Sequence, residues 1–441
     1  MTFSPDHLLD QLQSLTAGKD CRRWVIAYSG GIDSTVLLHA LLESADERPI
    51  RAIHVDHGLH EDSAAWSDHC RRNAERLGVP FHRIRVAVEK DAGGGIEAAA
   101  RDARYRALLS VIAEGDCLLS GHHEDDQAET LLLNLLRGSG PAGLAGIGAV
   151  QSFGKGLLLR PMLGVNGGEI ADYARGHGLQ WIDDPSNLDT RFDRNFIRQE
   201  ILPRLTSRWP AAARSLRRSA ELVADASALL NDLADIDIAA CGSLTRLSIP
   251  SLLGLPAARQ RNVLRRAVRR SGLPPIPATR LDQALTELVT ARGDAQPLVA
   301  WDGGTLRRYR GELFVLETSG DTPSDTVTLF PGQPPHRLGA GLGTIALVAG
   351  EHRGIAPNVA RAGLELRFRA GGERIRIAAG APTKTLKNLM QEAGVLPWMR
   401  EKMPLFFAGT ELVAVGDLWF SADHAAMPGI IINWQNRPEI R

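Results

Sequence analysis

Two glycines, two serines, a threonine and an aspartate lie together in one short segment, residues 29–35. The glycines permit positive φ and let backbone N–H groups approach an anion, the hydroxyls add donors, and Asp33 can hold a metal ion. The P-loop pattern of kinases and GTPases, with its phosphate-binding lysine, is absent. The segment therefore predicts a pyrophosphate-binding loop for cleavage of ATP between its α and β phosphates. A Ser-Gly-Gly turn that binds nothing is the alternative.

A second run, residues 122–130, is rich in groups that titrate or bind metal, including the adjacent His122 and His123. Asp125 and Asp126 lie four and three positions before Glu129, so a helix starting here gathers these carboxylates on neighbouring faces of its first turn. Such a group can hold Mg²⁺ or an ammonium ion. Helix capping is the alternative, because acidic residues favour helix amino termini. A zinc site fits less well, because the His-Glu-x-x-His spacing is absent.

An alanine-rich helix is predicted around residues 97–105, with Arg101 and Arg104 on one face. Arg101 can pair with Glu97 on the preceding turn, a contact worth about 0.3–0.5 kcal/mol. Alternatively, an arginine here stabilises the charge that builds during adenylyl transfer. The residues of this helix alone leave both interpretations open.

Strand-like and helix-like segments alternate through the first half of the chain. The strand-like segments are 24–28, 50–55, 81–88 and 116–120, and the helix-like ones are 34–44, 61–77, 96–113 and 125–137. This alternation predicts an α/β fold with a doubly wound parallel sheet and right-handed crossovers. Ligands of such sheets bind beyond the carboxyl ends of the strands. Three polar motifs follow predicted strands, at 29–35, 54–58 and 120–123.

Composition sets outer limits on the function. The 441 residues include 51 basic and 51 acidic ones, so the formal net charge is zero and any nucleic-acid binding must use local basic patches. Four scattered cysteines without a Cys-x-x-Cys pair argue against disulfide scaffolds, zinc knuckles and iron–sulfur clusters. Neither a membrane span nor a signal peptide is visible, and we therefore expect a cytoplasmic protein.

Taken together, the motifs resemble those of the tRNA(Ile)-lysidine synthases, a family of the N-type ATP pyrophosphatase (PP-loop) superfamily. The segments that carry the resemblance are Ser29–Ser34, His54–Leu59, Ala100–Tyr105, His122–Gln127, Gly178–Asn187, Arg194–Arg198, Phe368–Ile375, Leu386–Glu392 and Pro397–Trp398. The phosphate loop is shared across the superfamily, whereas the later segments are far more specific. Motif-bearing stretches cover most of residues 22–208 and 365–420.

The resemblance implies a ligation in two steps. ATP adenylates the ring carbonyl oxygen of the wobble cytidine in the CAU anticodon of an isoleucine tRNA, with Mg²⁺ bridging the pyrophosphate, and free L-lysine then displaces AMP to give lysidine. It also implies three domains. These are a Rossmann-like PP-loop catalytic domain at 1–208, a helical tRNA-contacting domain at 209–317 and a small α+β tRNA-binding domain at 329–441.

The resemblance further assigns roles to single residues. The residues expected to bind ATP are Ser29, Gly30, Gly31, Ile32, Asp33, Ser34, Thr35, His54 and Asp56. Asp33 is expected to contact the metal, and Arg101 and His122 to stabilise the transition state. Asp126 and Glu129 are expected to hold the ammonium group of the substrate lysine. The group that deprotonates the attacking amine is not identified by the sequence.

Contacts with tRNA are expected at basic residues in three parts of the chain. Residues 259–270 hold six arginines and no acid on a predicted helix, which suits phosphate contact, with a solvated helix face as the alternative. The candidate tRNA-binding residues are Arg194, Arg198, Arg265, Arg266, Arg269, Arg374 and Lys387. The oligomeric state, monomer or homodimer, stays open.

Three other functions use a similar nucleotide fold. A tRNA thiolase of the same superfamily usually needs a catalytic cysteine or a cluster-binding pair, and no cysteine here lies in such a motif. An amide-forming synthetase needs a glutaminase domain or an ammonia source. A non-enzymatic RNA-binding protein would be expected to lose some of Asp33, Asp126 and Glu129, and all three are present.

Overall fold

The computed structural model describes residues 3–88, 96–289, 297–318, 320, 326–339 and 341–440, without the side chains of 96–98. The chain divides into two compact units, Met1–Asn231 and Asp232–Arg441, and each is described by itself. No helix in the described ranges combines the length and the apolar character that crossing a membrane requires.

The first unit is built on a six-stranded sheet with the strand order β3-β2-β1-β4-β6-β5. Its strands are β1 (Arg23–Ala27), β2 (Ile50–Asp56), β3 (Phe81–Arg85), β4 (Asp116–Leu119), β5 (Val150–Phe153) and β6 (Gly156–Leu159). All neighbours pair in parallel except β5, which is antiparallel to β6. The predicted doubly wound parallel sheet is therefore confirmed, while β5 and β6 were not predicted from the sequence.

Helices cover both faces of this sheet. The helices that begin in this unit are α1 (Pro5–Thr16), α2 (Ile32–Glu43), α3 (Ser63–Arg76), α4 (Ile96–Leu109), α5 (Glu124–Leu136), α6 (Pro141–Leu144), α7 (Gly167–Gly176), α8 (Asp193–Phe196), α9 (Leu202–Arg208) and α10 (Ala212–Cys241), which continues past Asn231. A 3₁₀ turn spans Pro185–Leu188, and a π-helical turn at Ile197–Ile201 joins α8 to α9. The four helices predicted between the first strands are confirmed as α2 to α5.

Strand β1 is central because it is apolar on both faces. Trp24 and Ile26 belong to one hydrophobic core and Val25 to another, and all three side chains are fully buried. A strand buried on both faces reads as a continuous hydrophobic run rather than an alternating one. Since β1 pairs with β2 on one side and β4 on the other, the strand order reverses at β1, and a crevice opens beyond the carboxyl ends of these strands.

The cysteines are arranged in a way that their sequence spacing did not reveal. The sulfur atoms of Cys21 and Cys117 are in direct contact, although the two residues are 96 positions apart in the chain. They meet because Cys21 lies just before β1 and Cys117 lies in β4, its parallel neighbour. Cys70 and Cys241 are free and buried. The sequence spacing did not indicate this pair, since parallel pairing brings distant positions side by side.

The second unit contains mostly antiparallel strands. They are β7 (Arg246–Ser248), β8 (Leu298–Trp301), β9 (Gly304–Tyr309), β10 (Glu312–Glu317), β11 (Val327–Leu329), β12 (His336–Arg337), β13 (Thr344–Gly350), β14 (Gly354–Ile355), β15 (Leu364–Arg367), β16 (Arg374–Ile375), β17 (Lys384–Thr385), β18 (Leu405–Ala408), β19 (Glu411–Val415), β20 (Trp419–Phe420), β21 (Ala425–Ala426) and β22 (Gly429–Gln435). Its complete helices are α11 (Ile249–Leu253), α12 (Ala257–Arg270), α13 (Ala278–Gln283), α14 (Pro357–Arg361) and α15 (Leu386–Glu392).

Two hydrophobic cores organise this unit. One joins α12 and α13 to a four-stranded sheet of the order β7-β10-β9-β8, and the other joins Phe314 of β10 to the strands and helices from β11 onwards. The four-stranded sheet lies in a region that the sequence analysis describes as helical. Its strands are only three to six residues long, so their period is weak beside the strong helical period of α12. The predicted domain boundaries at 208/209 and 317/329 stay predictions.

Candidate active site

A cleft of about 470 Å³ lies beyond the carboxyl ends of β1, β2 and β4 in the first unit. It gathers ten of the residues that the sequence analysis selected. These are Ser29, Gly31, Ile32, Asp33, Ser34, His54, Asp56, His122, Asp126 and Arg198. The three motifs at the strand ends therefore meet in one place.

The loop after β1 wraps the amino end of α2. Gly30 adopts a φ of +89°, and its backbone N–H donates to the Ser34 hydroxyl at 3.1 Å. Its carbonyl accepts the backbone N–H of Ile182 at 2.9 Å and the Thr35 hydroxyl at 3.4 Å. Gly31 is the N-cap of α2, whose N–H groups and dipole favour an anion at this end. The amino end of α2 therefore suits an anion such as pyrophosphate.

Gly30 is packed from behind by two side chains of other elements. A Cβ added at this position would lie 2.6 Å from the Sγ atom of Cys70 and 2.7 Å from Cδ1 of Ile182. Burial raises the pKa of the Cys70 thiol to about 12, so the sulfur is a neutral packing group. Glycine is therefore required here both by φ and by space.

Asp33 lies in the first turn of α2, facing the second acidic motif. Its Oδ1 atom is 3.6 Å from Nε2 of His123, whose Nε2 is also 3.5 Å from Oδ2 of Asp126. Burial, assisted by the nearby Asp126 carboxylate, raises the pKa of Asp33 against the opposing effect of His123. A cation close to both carboxylates would relieve this desolvation, so these oxygen donors fit Mg²⁺.

The described residues contain no group of three or more His, Cys, Asp and Glu side chains that could hold a metal ion. This agrees with the usual behaviour of Mg²⁺, which takes one or two carboxylates from the protein and the remaining ligands from substrate phosphates and water. Asp33 is the carboxylate nearest the phosphate loop and would be such a ligand. Within the described ranges, protein side chains alone do not form a complete metal-coordination site.

His54 and Asp56 at the end of β2 are held by different partners. The Nδ1–H of His54 donates to the Tyr28 carbonyl oxygen at 2.9 Å, and burial lowers the pKa of this imidazole, which leaves Nε2 as an acceptor. Asp56 accepts the Gly58 N–H at 3.0 Å and the Arg83 guanidinium at 2.5 Å. Burial alone would raise the pKa of Asp56, but these hydrogen bonds outweigh it and lower the pKa. Asp56 therefore fixes the loop that follows β2.

Four charged side chains form a compact cluster at one side of the cleft, which we call the carboxylate–guanidinium cluster: Asp126, Glu129, Arg194 and Arg198. Arg194 Nε donates to Glu129 Oε2 at 2.7 Å and Arg194 Nη2 to Asp126 Oδ1 at 2.8 Å. Arg198 Nε donates to Glu129 Oε1 at 2.6 Å and Arg198 Nη2 to Asp126 Oδ1 at 3.2 Å. Two carboxylates thus face two guanidinium groups, and the charges balance.

Burial differs strongly across the carboxylate–guanidinium cluster. The Glu129 side chain is 0% exposed and that of Asp126 11%, whereas Arg194 and Arg198 are 21% and 39% exposed. Burial alone would raise the pKa of Asp126, but His123 and Arg194 lower it to about 2. From the sequence, the carboxylates are expected to bind lysine and the arginines to bind tRNA, and the contact between the two sets was not predicted. The π-helical turn that carries Arg198 is a local signal, since such turns occur frequently at functional sites.

Several residues that the sequence analysis did not select also line the cleft. They are Tyr28, His57, Ser63, Trp66, Arg104, Tyr105, Ser120, Ile182, Asp183, Asp184 and Asn187. Arg104 belongs to the same helix as Arg101, and the spacing of the two arginines could not say which one faces inward. Arg101 is exposed, lies 5.2 Å from the Tyr105 ring centre and is not among the lining residues. Glu97 lies outside the residues whose side chains are described.

The basic residues of the second unit fall into two groups. Four arginines of α12 form ion pairs with carboxylates. Arg259 pairs with Asp237, Arg261 pairs with Asp282, and Arg266 and Arg270 both pair with Asp235. Arg265 and Arg269 are exposed, and no carboxylate of the described ranges pairs with them. They lie one helical turn apart, so they project from the same face.

The basic residues of the last hundred positions also divide into those that pair with a carboxylate and those that do not. Arg367, Arg376 and Lys384 are held by Glu365, Asp423 and Glu392. Within the part of the chain that the structure describes, Arg374 and Lys387 have no carboxylate partner, and Arg374 contacts only the Thr383 carbonyl oxygen at 3.4 Å. The selection of these two residues as tRNA contacts stays a prediction.

Comparisons with known proteins cover all parts of the chain. A family model described as a PP-loop domain matches residues 5–205, and models described as the TilS substrate binding domain and the TilS substrate C-terminal domain match 247–314 and 364–434. The chain is 43% identical over 417 residues to a tRNA(Ile)-lysidine synthase of Alkalilimnicola ehrlichii, covering 92% of each chain. It is 40% identical to those of Xanthomonas campestris pv. campestris, over 90% of this chain and 91% of the relative, and Methylococcus capsulatus, over 93% and 95%.

Proposed function

The chain belongs to the tRNA(Ile)-lysidine synthase family, and from this membership we propose that it ligates L-lysine to the wobble cytidine of an isoleucine tRNA with a CAU anticodon. ATP adenylates the cytidine, pyrophosphate leaves, and the lysine amine then displaces AMP. The family assignment itself establishes an ATP-using, tRNA-modifying ligase. The lysine substrate, the anticodon and the adenylated intermediate are the proposed part.

One observation supports the proposal most directly. The loop after β1, the Asp33 carboxylate and two members of the carboxylate–guanidinium cluster, Asp126 and Arg198, line a single cleft. Adenylation requires the first two groups, and recognition of an amino acid with a positively charged side chain requires the third.

The first step depends on the loop after β1. Ser29, Gly31, Ser34 and the amino end of α2 would hold the departing pyrophosphate, because these residues line the cleft at the strand end where the helix dipole favours an anion. Asp33 would hold Mg²⁺, which offsets the charge of the pyrophosphate when bound. His54, with its acceptor Nε2, would contact a donor group on the nucleoside end of ATP. Binding of this kind lowers the barrier by fixing the reacting groups in position.

The second step depends on the carboxylate–guanidinium cluster. Both carboxylates are already paired, so an incoming ammonium group must displace a guanidinium from Asp126. Arg198 is the more exposed of the two arginines and makes the longer contact with Asp126, 3.2 Å against 2.8 Å for Arg194. We therefore expect Arg198 to yield, with Arg194 and the buried Glu129 holding the geometry. Neither arginine then needs to contact tRNA directly.

The experiment that tests this function is an incorporation assay. The purified protein is incubated with ATP, Mg²⁺, labelled lysine and an isoleucine tRNA transcript that carries CAU, beside a transcript with a different wobble base. Label should enter the first transcript only, with one AMP and one pyrophosphate formed for each lysine. Release of ADP and orthophosphate, or transfer of label in the absence of ATP, would contradict the proposal.

The same assay separates the alternatives. A tRNA thiolase would transfer sulfur and leave the lysine label in solution. The cleft lining includes no cysteine among the residues that the structure describes, and Cys70 lies behind Gly30. An amide-forming synthetase would release AMP and pyrophosphate without tRNA, and a simple RNA-binding protein would release neither.

Replacing Asp33 with alanine should abolish pyrophosphate release. The carboxylate lies beside the phosphate loop and has no substitute within the first turn of α2. The measurement is pyrophosphate formed at saturating ATP and tRNA over a range of Mg²⁺ concentrations. Asp6, an aspartate in the first turn of α1, provides a matched control, because Asp6→Ala removes the same helix-end charge outside the cleft. Normal turnover by Asp33→Ala would reject the metal role.

Replacing Arg265 and Arg269 together with alanine should weaken tRNA binding and reduce its dependence on salt. Each lost phosphate contact lowers the slope of log K against log salt by about 0.7–0.9. The double variant Arg266→Ala/Arg270→Ala removes the same charge from the same helix, but both of its arginines are held by Asp235. We expect it to change the slope much less. Equal slopes for the two double variants, measured by filter binding, would contradict the proposed contact.

A further inference from the structure

Ser120 and His122 make a close contact at the carboxyl end of β4. The Ser120 hydroxyl oxygen lies 2.5 Å from Nδ1 of His122, and the backbone N–H of Ser120 donates to the Leu159 carbonyl on β6 at 3.0 Å. Both residues line the cleft. The serine is thereby fixed to the sheet, and its hydroxyl is available to orient the imidazole.

The His122 imidazole is neutral at physiological pH. Burial is the main cause and lowers its pKa to about 3, against the opposing effect of Asp126. The charged groups that act on it are the Asp126 carboxylate and the guanidinium groups of Arg160, Arg194 and Arg104. A neutral imidazole carries a single N–H, on either Nδ1 or Nε2, so the hydrogen bond at Nδ1 decides which nitrogen faces the cleft as a donor.

The surroundings favour a proton on Nε2. With the proton on Nδ1, the Ser120 hydroxyl proton has no acceptor in the described ranges, and the bare lone pair of Nε2 would meet the negative charge of a bound triphosphate. With the proton on Nε2, the Ser120 hydroxyl donates to Nδ1, and Nε2–H becomes a donor towards this anion. Among the described residues, Nδ1 of His122 is also the partner that the structure gives to the Ser120 hydroxyl. With the proton on Nε2, both the Ser120 hydroxyl and the His122 N–H have an acceptor once ATP is bound. With the proton on Nδ1, the Nε2 lone pair would face negative charge.

We propose that Ser120 is a positioning residue that donates to Nδ1 of His122 and so holds Nε2–H as a neutral donor for the phosphate oxygens of ATP during adenylation. This proposal rests on the proposed function, because it needs ATP in the cleft. A neutral donor can strengthen its hydrogen bond as negative charge builds, without losing a proton to the leaving pyrophosphate. No covalent step involves either side chain.

The tautomer can be measured without turnover. In ¹⁵N-labelled protein, imidazole nitrogen shifts distinguish a protonated nitrogen from a bare one, and the His122 signals are identified by their absence in a His122→Gln variant. We expect a protonated Nε2 and a bare, hydrogen-bonded Nδ1 in the wild-type protein. A protonated Nδ1 would overturn the proposal, whatever the activity of the enzyme.

The functional test is a double-mutant comparison of tRNA-dependent pyrophosphate release. Ser120→Ala should lower kcat about tenfold, the size of one neutral hydrogen bond, with KM for ATP little changed. In His122→Gln, the side-chain amide N–H₂ replaces Nε2–H as the donor, and glutamine has no second tautomer for Ser120 to select. Adding Ser120→Ala in this background should therefore change kcat less than about twofold. His122→Ala should lose the donor in both backgrounds.

Controls separate positioning from folding. Ser110→Ala removes a serine hydroxyl that donates to a backbone carbonyl just after α4, outside the cleft lining, and should leave kcat unchanged. Thermal unfolding of Ser120→Ala reports any loss of stability. Equal effects of Ser120→Ala in the wild-type and His122→Gln backgrounds, or no effect in either, would refute the positioning role. Failure of the whole proposed function would instead appear as absent pyrophosphate release in the wild-type protein, while the nitrogen shifts could still be read.

Discussion

Replacing Gly30 with alanine is expected to abolish ATP turnover. An alanine at this φ of +89° costs about 1–2 kcal/mol, and its Cβ would overlap Cys70 Sγ and Ile182 Cδ1. Overpacking of this kind adds about 1–3 kcal/mol unless the loop moves, and movement withdraws the N–H groups that hold the pyrophosphate. We expect pyrophosphate release to fall by at least about 100-fold, as when donors for a developing charge are removed elsewhere.

Two further variants isolate the cause. Gly78 also has a positive φ, +70°, but nothing lies within 4 Å of an added Cβ. Gly78→Ala therefore tests backbone strain alone and should keep full activity. ATP binding is followed directly, by protection of the first unit against proteolysis or by calorimetry. Retained affinity for ATP in Gly30→Ala would show that the loop does not hold the phosphates.

Replacing Glu129 with glutamine is expected to destabilise the first unit by about 3 kcal/mol. The carboxylate is fully buried and accepts hydrogen bonds from both Arg194 and Arg198, so its neutralisation leaves two guanidinium groups facing Asp126 alone. Removing one partner of a buried ion pair typically costs 3–5 kcal/mol, because the remaining charge is uncompensated. The measurement is the midpoint of thermal or urea unfolding. The double variant Glu129→Gln/Arg198→Gln restores the charge balance and should recover much of the stability.

The same cluster separates stability from substrate binding. Asp126→Asn keeps the volume of the side chain but removes the charge that the lysine ammonium group would meet. We expect KM for lysine to rise while adenylation of the tRNA at saturating ATP continues. An unchanged lysine dependence would reject the assignment, and a Glu129→Gln variant as stable as the wild type would reject the structural role of the cluster.

The nucleotide half of the site could be predicted because its information is local. Ser29, Gly30 and Asp33 are consecutive or nearly so, and the apolar run before them predicts the buried strand that presents them. The general rule for ligands of parallel sheets then brings the motifs after β1, β2 and β4 together. Spacing within one segment, and one rule about strand ends, were sufficient.

Other features depend on contacts between distant segments, and spacing could not reveal them. Arg194 and Arg198 were selected for tRNA because they are basic. However, α8 and the following π-helical turn, which carry them, pack against α5, and the two side chains form ion pairs with Asp126 and Glu129. Which of Arg101 and Arg104 lines the cleft depends on how α4 packs, and the sequence spacing does not show this. The same is true of α12, where the acids that pair with the arginines lie on α10 and α13.

A ribosome synthesising this protein releases Gly30 long before Ile182, the residue that closes the back of the nucleotide loop through a hydrogen bond and a side-chain contact. β1 likewise waits for β4, its parallel neighbour, to emerge. Contacts of such long sequence separation form slowly, and until then apolar strand edges are open to association with other nascent chains. Nucleotide affinity should therefore appear abruptly and late in translation, and premature termination before position 182 would yield fragments that cannot recover it.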